Sequence, residues 1–314
     1  MAAIALTHKL MDRLERLAVI ARRIRPGRYA GDTPTHRRGS SVEFSDYRAY
    51  QPGDDFRSID WNVYGRLGRV YVKQYRAEED LSMQLLLDVS RSMQYGGQGP
   101  AGPKPGGGKG SAGKKRSGGG KLEYGAHLAL ALGYLALTSL NRVGMAAFAE
   151  ELKPVLPPRR RIDHFFRLFD YLNSIEAQGE TDTNASLEAF ARLRREAGVA
   201  VVISDLMDPK GYADGITALS SRGWDVLVIH VLSEDEISLP QGGPIRMVDA
   251  ETGESLEVNL GREEREEYRV YLDHYFREIR EFCASHGVEY VLASTAVPFE
   301  RIVLDYLRGG VFIQ

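Results

Sequence analysis

The chain has 314 residues, 43% hydrophobic and 27% charged, with a formal net charge of −2. This composition excludes a fibrous or disordered protein and leaves enough apolar material for one large core or two modest ones. A single cysteine, Cys283, excludes an internal disulfide and a multi-cysteine metal site. Charge is unevenly spread, with 15 Lys/Arg against 8 Asp/Glu in residues 1–76 and 6 against none in 96–121. Basic runs can attract nucleic acid. Here the first run is interleaved with acids and the second lacks aromatic stacking residues, so no nucleic-acid partner is expected.

Residues 5–24 place Leu6, Leu10, Leu14, Leu17, Ile20 and Ile24 at three- and four-residue steps, the pattern of an amphipathic helix. Lys9, Asp12, Arg13, Glu15 and Arg16 interrupt the apolar content, so the stretch reads neither as a signal peptide nor as a membrane span. The expectation is a cytoplasmic protein. After a Gly/Pro/Arg-rich connector, residues 42–75 alternate apolar and polar side chains around the turn "QPGDD", which predicts a small β-rich unit. The acids Glu43, Asp54, Asp55 and Asp60 interleave with Arg48, Arg57 and Arg66. They read as charged pairs and turn caps locking this unit onto the rest, with Trp61 as a buried anchor.

From Met83 onward short apolar runs alternate with helical patterns. Strands are predicted at 83–88, 143–149, 199–204, 225–231 and 288–293, and helices near 122–140, 161–177, 184–196, 211–222, 262–285 and 297–308. This order implies a doubly wound, mostly parallel α/β sheet. "ELKPVLPP" is too short for a helical crossover and predicts an antiparallel edge strand, while 242–260 reads as a surface hairpin. The Gly/Lys-rich insertion 96–120 holds no large apolar residue and reads as a flexible loop. The domain division expected is 1–80 for the helix and β-rich unit and 81–314 for the α/β domain.

The chemistry concentrates in three loops. "LLLDVSRS" ends its strand in Asp88, Ser90 and Ser92; "GETDTN" carries Thr181, Asp182 and Thr183; "VVISDLMD" carries Asp205. Ligands of open α/β sheets bind at the carboxyl ends of strands, where these loops are expected. An all-oxygen set of hydroxyls and carboxylates, without Cys or His, selects a hard cation such as Mg²⁺ or Mn²⁺. Two plainer readings compete. Asp88 and the serines could simply cap the following helix, or Asp88 could be the nucleophile of a Mg²⁺-dependent phosphatase or hydrolase. The second reading lacks an acid two positions after Asp88, where Ser90 stands.

"DVSRS", "GETDT" and "VVISDL" resemble, in order and spacing, the elements of von Willebrand factor type A domains with a metal-ion-dependent adhesion site. That resemblance implies a metal centre of Asp88, Ser90, Ser92, Thr181 and Asp205, with Thr181 favoured over Thr183 because it follows Gly-x. Upstream, "GSSVEFSDYRAYQPGDDFRSIDWNVYGRLGRVYVKQYRAEEDL" is similar to the signature of a bacterial family known as domain of unknown function number fifty-eight. The Gly/Lys insertion departs from that pattern. The resemblance implies a non-enzymatic, metal-dependent protein-binding module, an adaptor or assembly factor working with a MoxR-type hexameric ATPase or its client. The metal would be completed by a carboxylate from the partner.

Overall fold

The computed structural model describes residues 7–24, 42–51, 54, 56, 59–77, 82–95, 120–176, 179–194, 196–237, 244–248, 255–259 and 261–309. The elements in chain order are α1 (His8–Ile24), β1 (Val42–Ala49), α2 (Trp61–Leu67), β2 (Tyr71–Ala77), β3 (Ser82–Asp88) and α3 (Lys121–Thr138). There follow β4 (Arg142–Phe148), β5 (Leu156–Arg159), α4 (His164–Ser174), α5 (Thr183–Leu193), β6 (Val199–Ser204) and α6 (Ala213–Ser221). The remainder comprises β7 (Asp225–Leu232), α7 (Glu234–Ile237), β8 (Pro244–Val248), β9 (Ser255–Asn259), α8 (Arg262–Ser285), β10 (Glu289–Ser294) and α9 (Phe299–Leu307). They form two compact units, one of Gly27–Leu81 and one of Met1–Pro26 with Ser82–Gln314.

The larger unit is built on a six-stranded sheet in the order β10-β7-β6-β3-β4-β5. All neighbours run parallel except the edge strand β5, which returns antiparallel to β4 as its brief connection requires. Successive strand residues face opposite layers, and the apolar runs supply both. Leu85, Leu87, Met145, Val201 and Ile203 face one core with Leu128, Leu132 and Phe165, whereas Leu86, Ala146, Val202 and Val228 face a second with Leu187, Phe190, Ile216 and Ile279. The sheet is therefore covered by helices on both faces.

Helix α3 is buried around most of its circumference because α1, α4 and α9 enclose it on the side away from the sheet. This accounts for its nearly uniform apolar sequence. Helix α1 lays Leu10, Leu14 and Leu17 into the same core and so belongs to this unit, not to the β-rich one. At the opposite edge Tyr171 clamps the β4–β5 return, donating its hydroxyl to the Pro154 carbonyl at 2.6 Å and accepting from the Ala147 amide at 3.0 Å. Strands β8 and β9 pair antiparallel within the hairpin region. The insertion, 96–119, lies outside the described residues.

In the smaller unit β1 and β2 pair antiparallel, with a register slip between Phe44 and Asp46. Asp60 caps α2, accepting from the amides of Asn62 at 2.9 Å and Val63 at 3.3 Å and from the Tyr47 hydroxyl at 2.9 Å. Arg48 pairs with Asp54 at 2.8 Å, and the Gln51 amide donates to the same carboxylate at 2.8 Å. These acids serve turns and caps. Asp55 and Arg57 lie outside the described residues. Trp61 is not the buried anchor expected of it: it is 63% exposed at the first position of α2, a helix that buries none of its residues. Its apolar neighbours Tyr64 and Leu67, one and two turns on, are exposed with it, since among the described residues of its unit no layer covers the short helix.

Helices α5 and α6 approach closely over Gly215. A Cβ there would stand 2.9 Å from Leu187 Cβ, 3.0 Å from Asn184 Cα and 3.1 Å from the Thr183 carbonyl oxygen. Gly215→Ala must push back the backbone of α5, so it is expected to lower stability by about 1–3 kcal/mol in denaturant unfolding. Gly65→Ala in α2 meets open space. It should leave stability unchanged or raise it by about 0.5–1 kcal/mol, as alanine does in a helix interior.

Candidate metal centre

The strand order fixes where a ligand can enter. Strand β3 pairs with β4 on one side and β6 on the other, so connections leave it in opposite directions and a crevice opens at the carboxyl ends of β3 and β6. Asp88 is the last residue of β3 and Asp205 follows the last residue of β6. Leu87 pairs with Ile203, which brings Asp88 level with Ser204. The Ser204 hydroxyl donates to Asp88 Oδ2 at 2.6 Å, and the Ser90 amide donates to Asp88 Oδ1 at 2.9 Å.

The three motif loops are tied together around this crevice. Ser90 and Ser92 share a hydroxyl–hydroxyl hydrogen bond of 2.8 Å. The Arg91 amide donates to the Gly179 carbonyl at 3.3 Å and the Asp182 amide to the Ala149 carbonyl at 3.0 Å, which bracket Thr181 between two anchored residues. Asp208 receives the Thr183 amide at 2.6 Å and the Lys210 amide at 2.8 Å, joining the third loop to the second. Asp88, Ser90, Thr181 and Asp205 are all buried, and Ser92 is half-buried. Arg91, Tyr95 and Met207 form an exposed rim on the same loops.

The backbone is strained next to Asp205. Leu206 adopts φ +52°, a left-handed conformation rare for a bulky residue and costing about 1–3 kcal/mol. It is held there from both sides: its amide donates to Ser204 Oγ at 2.9 Å, and its carbonyl accepts from the Tyr275 hydroxyl at 2.5 Å. The bend lets the Met207 amide donate to Asp205 Oδ1 at 3.2 Å while Oδ2 faces elsewhere.

What Oδ2 faces is Lys121, the first residue of α3, whose ammonium lies 2.6 Å from Asp205 and 2.6 Å from Glu236 of α7. This pair of contacts escaped the motif reading. Lys121 looks like the last member of the basic run, and Glu236 like one acid of "SEDE". The available signals were a lysine opening a helix that is otherwise apolar all round, and a Ser-x-x-Glu capping pattern at 233–236.

Electrostatics mark the crevice as rich in negative charge. Burial, together with the neighbouring Asp205 charge, pushes Asp88 up to about 7 despite the hydrogen bonds it accepts. Burial alone would lower Lys121, but Asp205 and Glu236 outweigh it and hold the ammonium charged. His230, in β7 behind the site, is driven down to about 4 by burial and gives its Nδ1 to a 2.8 Å hydrogen bond with the Tyr290 hydroxyl. Two carboxylates, Asp205 and Glu236, thus share one ammonium, and Asp88 lies within the field of Asp205.

A divalent cation suits this donor set. Among the described residues no three His, Cys, Asp or Glu side chains group to hold a metal, so a cation here would rest on two carboxylates and on hydroxyls. Hard Mg²⁺ accepts such oxygens and keeps waters of its own. The Thr183 hydroxyl is buried and has no hydrogen-bond partner among the described residues.

The fold and crevice together define a mostly parallel α/β protein with a buried carboxylate pair and hydroxyls at its topological switch point. The chain belongs to the family described as Protein of unknown function DUF58, whose model matches residues 46–101 and 110–274. It is 27% identical over 233 residues to the uncharacterized protein Rv1480 of Mycobacterium tuberculosis, covering 73% of this chain and 67% of that one. The uncharacterized protein YeaD of Bacillus subtilis is 36% identical over 59 residues, 19% of this chain and 15% of the other. Among solved structures, an aerotolerance-related membrane protein from Bacteroides fragilis aligns at 18% identity and TM-score 0.40, over 74% of this chain and 98% of its own. A conserved hypothetical protein, BatB, from Bacteroides thetaiotaomicron aligns at 17% and 0.42, over 73% and 98%. Both are too distant to bring a fold name or an activity to this chain. Among the described residues no helix is long and apolar enough to cross a membrane.

The raised Asp88 carboxyl sets a pH dependence for metal-free protein. The folded state holds a proton that the unfolded state releases between about pH 4 and 7, so stability falls as pH rises through that window and levels above it. His230 acts in the opposite sense, losing stability as pH falls from its usual range toward 4. The thermal unfolding temperature in chelator from pH 5 to 8 should therefore rise less with pH, or fall more, in the wild type than in Asp88→Asn, the difference between the two isolating Asp88 from the opposing His230. Parallel curves for the two proteins would refute the assignment.

Proposed function

We propose that the larger unit is a von Willebrand factor A-like domain that binds a partner protein through Mg²⁺. The cation is held by the hydroxyls of Ser90, Ser92 and Thr181, with Asp88 and Asp205 acting directly or through water. The observation that carries this reading is the meeting of two buried carboxylates, Asp88 and Asp205, at the switch point, with Asp88 raised by burial and then by the charge of Asp205. Mg²⁺ supplies positive charge to which a carboxylate of the partner can attach. The chain's own part is to keep Asp88 oriented through Ser90 and Ser204, to keep the three loops in register, and to present the exposed rim of Arg91, Tyr95 and Met207.

Resemblance to the family in which such domains accompany MoxR-type ATPases supports an adaptor or assembly role with such an ATPase or its client. A nucleophilic role for Asp88 has less support. Its side chain is wholly buried and both oxygens already accept hydrogen bonds, which lowers their reactivity toward phosphorus or carbonyl carbon.

Two measurements test the reading. Full-length protein should retain its cognate MoxR-type ATPase on a column in Mg²⁺ and release it in EDTA. Ser90→Ala should weaken retention at least tenfold while costing only about 1 kcal/mol of stability for the lost hydroxyl pair; retention that is indifferent to both chelation and Ser90→Ala would refute it. Isothermal titration of Mg²⁺ separates the two threonines. Thr181→Val should weaken Mg²⁺ binding about tenfold or more, a loss of roughly 1.4 kcal/mol, whereas Thr183→Val, which removes an already unpartnered hydroxyl, should leave it unchanged.

A further inference from the structure

Lys121 breaks two local rules at once. Its side chain is 1% exposed, although lysine is almost never fully buried. It also opens α3, where the positive end of the helix dipole disfavours a cation. Such conflicts between local preference and fold concentrate at functional sites. What compensates the buried charge is a pair of carboxylates of different standing. Asp205 belongs to the proposed metal centre, whereas Glu236 belongs to α7 and to no motif loop.

Glu236 is built to hold the ammonium independently of Asp205. Its Oε2 accepts from the Ser233 amide at 2.7 Å, and its own amide donates to Ser233 Oγ at 3.3 Å, forming a reciprocal capping box. The main-chain carbonyl of Glu236 also accepts from the Tyr268 hydroxyl of α8 at 2.6 Å. One carboxylate oxygen is thus fixed by backbone, leaving Oε1 for Lys121 at 2.6 Å. The Tyr95 ring stands 6.0 Å from the same ammonium and adds a weak attraction.

From this arrangement we infer that Lys121 is an internal cation that competes with the divalent ion for Asp205, with Glu236 as the carboxylate that retains the ammonium when Asp205 is taken. Lys121 balances the buried carboxylates without metal and opposes a second cation placed beside them. It therefore raises the Mg²⁺ concentration at which the site fills. Lys121 is a positioning residue in this scheme, since it acts on the metal only through Asp205 and through its charge. The inference rests on the proposed metal centre.

The test is isothermal titration of Mg²⁺, and of Mn²⁺ as a second probe, into chelator-treated full-length protein and three variants. Lys121→Met keeps the length of the side chain and removes the charge; it should bind Mg²⁺ at least about tenfold tighter than the wild type, because a like charge beside the ligand carboxylate has gone. Lys121→Arg keeps the charge and should bind within about threefold of the wild type. Glu236→Gln leaves Asp205 as the sole carboxylate for the ammonium and should bind about threefold or more weakly. Thermal unfolding gives a second readout: the metal-free Lys121→Met protein should melt below the wild type, having unpaired carboxylates, and should recover more of its stability on adding Mg²⁺.

If the wild type binds Mg²⁺ and Lys121→Met binds it no tighter, Lys121 is a structural ion pair and the inference is overturned while the metal centre stands. Should Lys121→Met fail to fold, an unchanged or tighter Mg²⁺ affinity in Glu236→Gln overturns it equally. If neither the wild type nor any variant binds Mg²⁺ or Mn²⁺, the metal reading falls and the inference with it.

Discussion

The larger unit turns on the pairing of β3 with β4 on one edge and β6 on the other. Parallel strands cannot be joined by hairpins, so the chain must leave β3 on one side of the sheet and return on the other, opening a crevice at the carboxyl ends of β3 and β6. The register of that pairing sets Asp88 beside Ser204 and so beside Asp205. Loops from β4 and from the start of α5 are then drawn in by backbone hydrogen bonds at Ala149, Gly179 and Thr183. None of these contacts is strong alone. Together they hold carboxylates in a place where burial makes ionisation unfavourable, which no capping role requires.

The second constraint is the charge that accumulates there. Asp205 and Glu236 meet a single ammonium, while Asp88 beside them is shifted upward by burial and by the charge of Asp205. Leu206 adds backbone strain at the same point. Strain and unbalanced burial both reduce stability, and the surrounding core of α5, α6 and α8 has to offset them. Close approach at Gly215 and the clamp from Tyr275 to Leu206 show how tightly that core is fitted behind the crevice.

Much of this was legible in the residues. The apolar runs "MQLLL", "VAVVI" and "VLVIHV" could be placed as buried parallel strands because both faces of each are apolar, and the polar ends of two of them located the crevice. The edge return at "ELKPVLPP" followed from connection length alone. Lys121 was not legible as part of the site, because periodicity places it on a helix and composition places it in a basic run. Only the three-dimensional course of α3 brings its amine to Asp205, 84 positions away. Trp61 failed for a different reason. Aromatic bulk argues for burial in general, but among the described residues of its unit nothing covers the short helix α2, and Trp61, Tyr64 and Leu67 stay exposed.

The balance of charge also constrains what the crevice can recognise on the proposed reading. With three carboxyl groups and one ammonium, it carries excess negative charge and repels an acidic side chain brought to the rim. A divalent ion neutralises that excess, and the neutral hydroxyls of Ser90, Ser92 and Thr181 add none back. Attraction for a carboxylate then comes from the ion itself, so that affinity for an acidic partner and occupancy by metal become one property. A site that held its metal permanently would bind such a partner at all times. On the same proposal, competition from the tethered ammonium at Asp205 opposes permanent occupancy, and partner binding would then draw in the metal, as linkage requires of two ligands that stabilise each other.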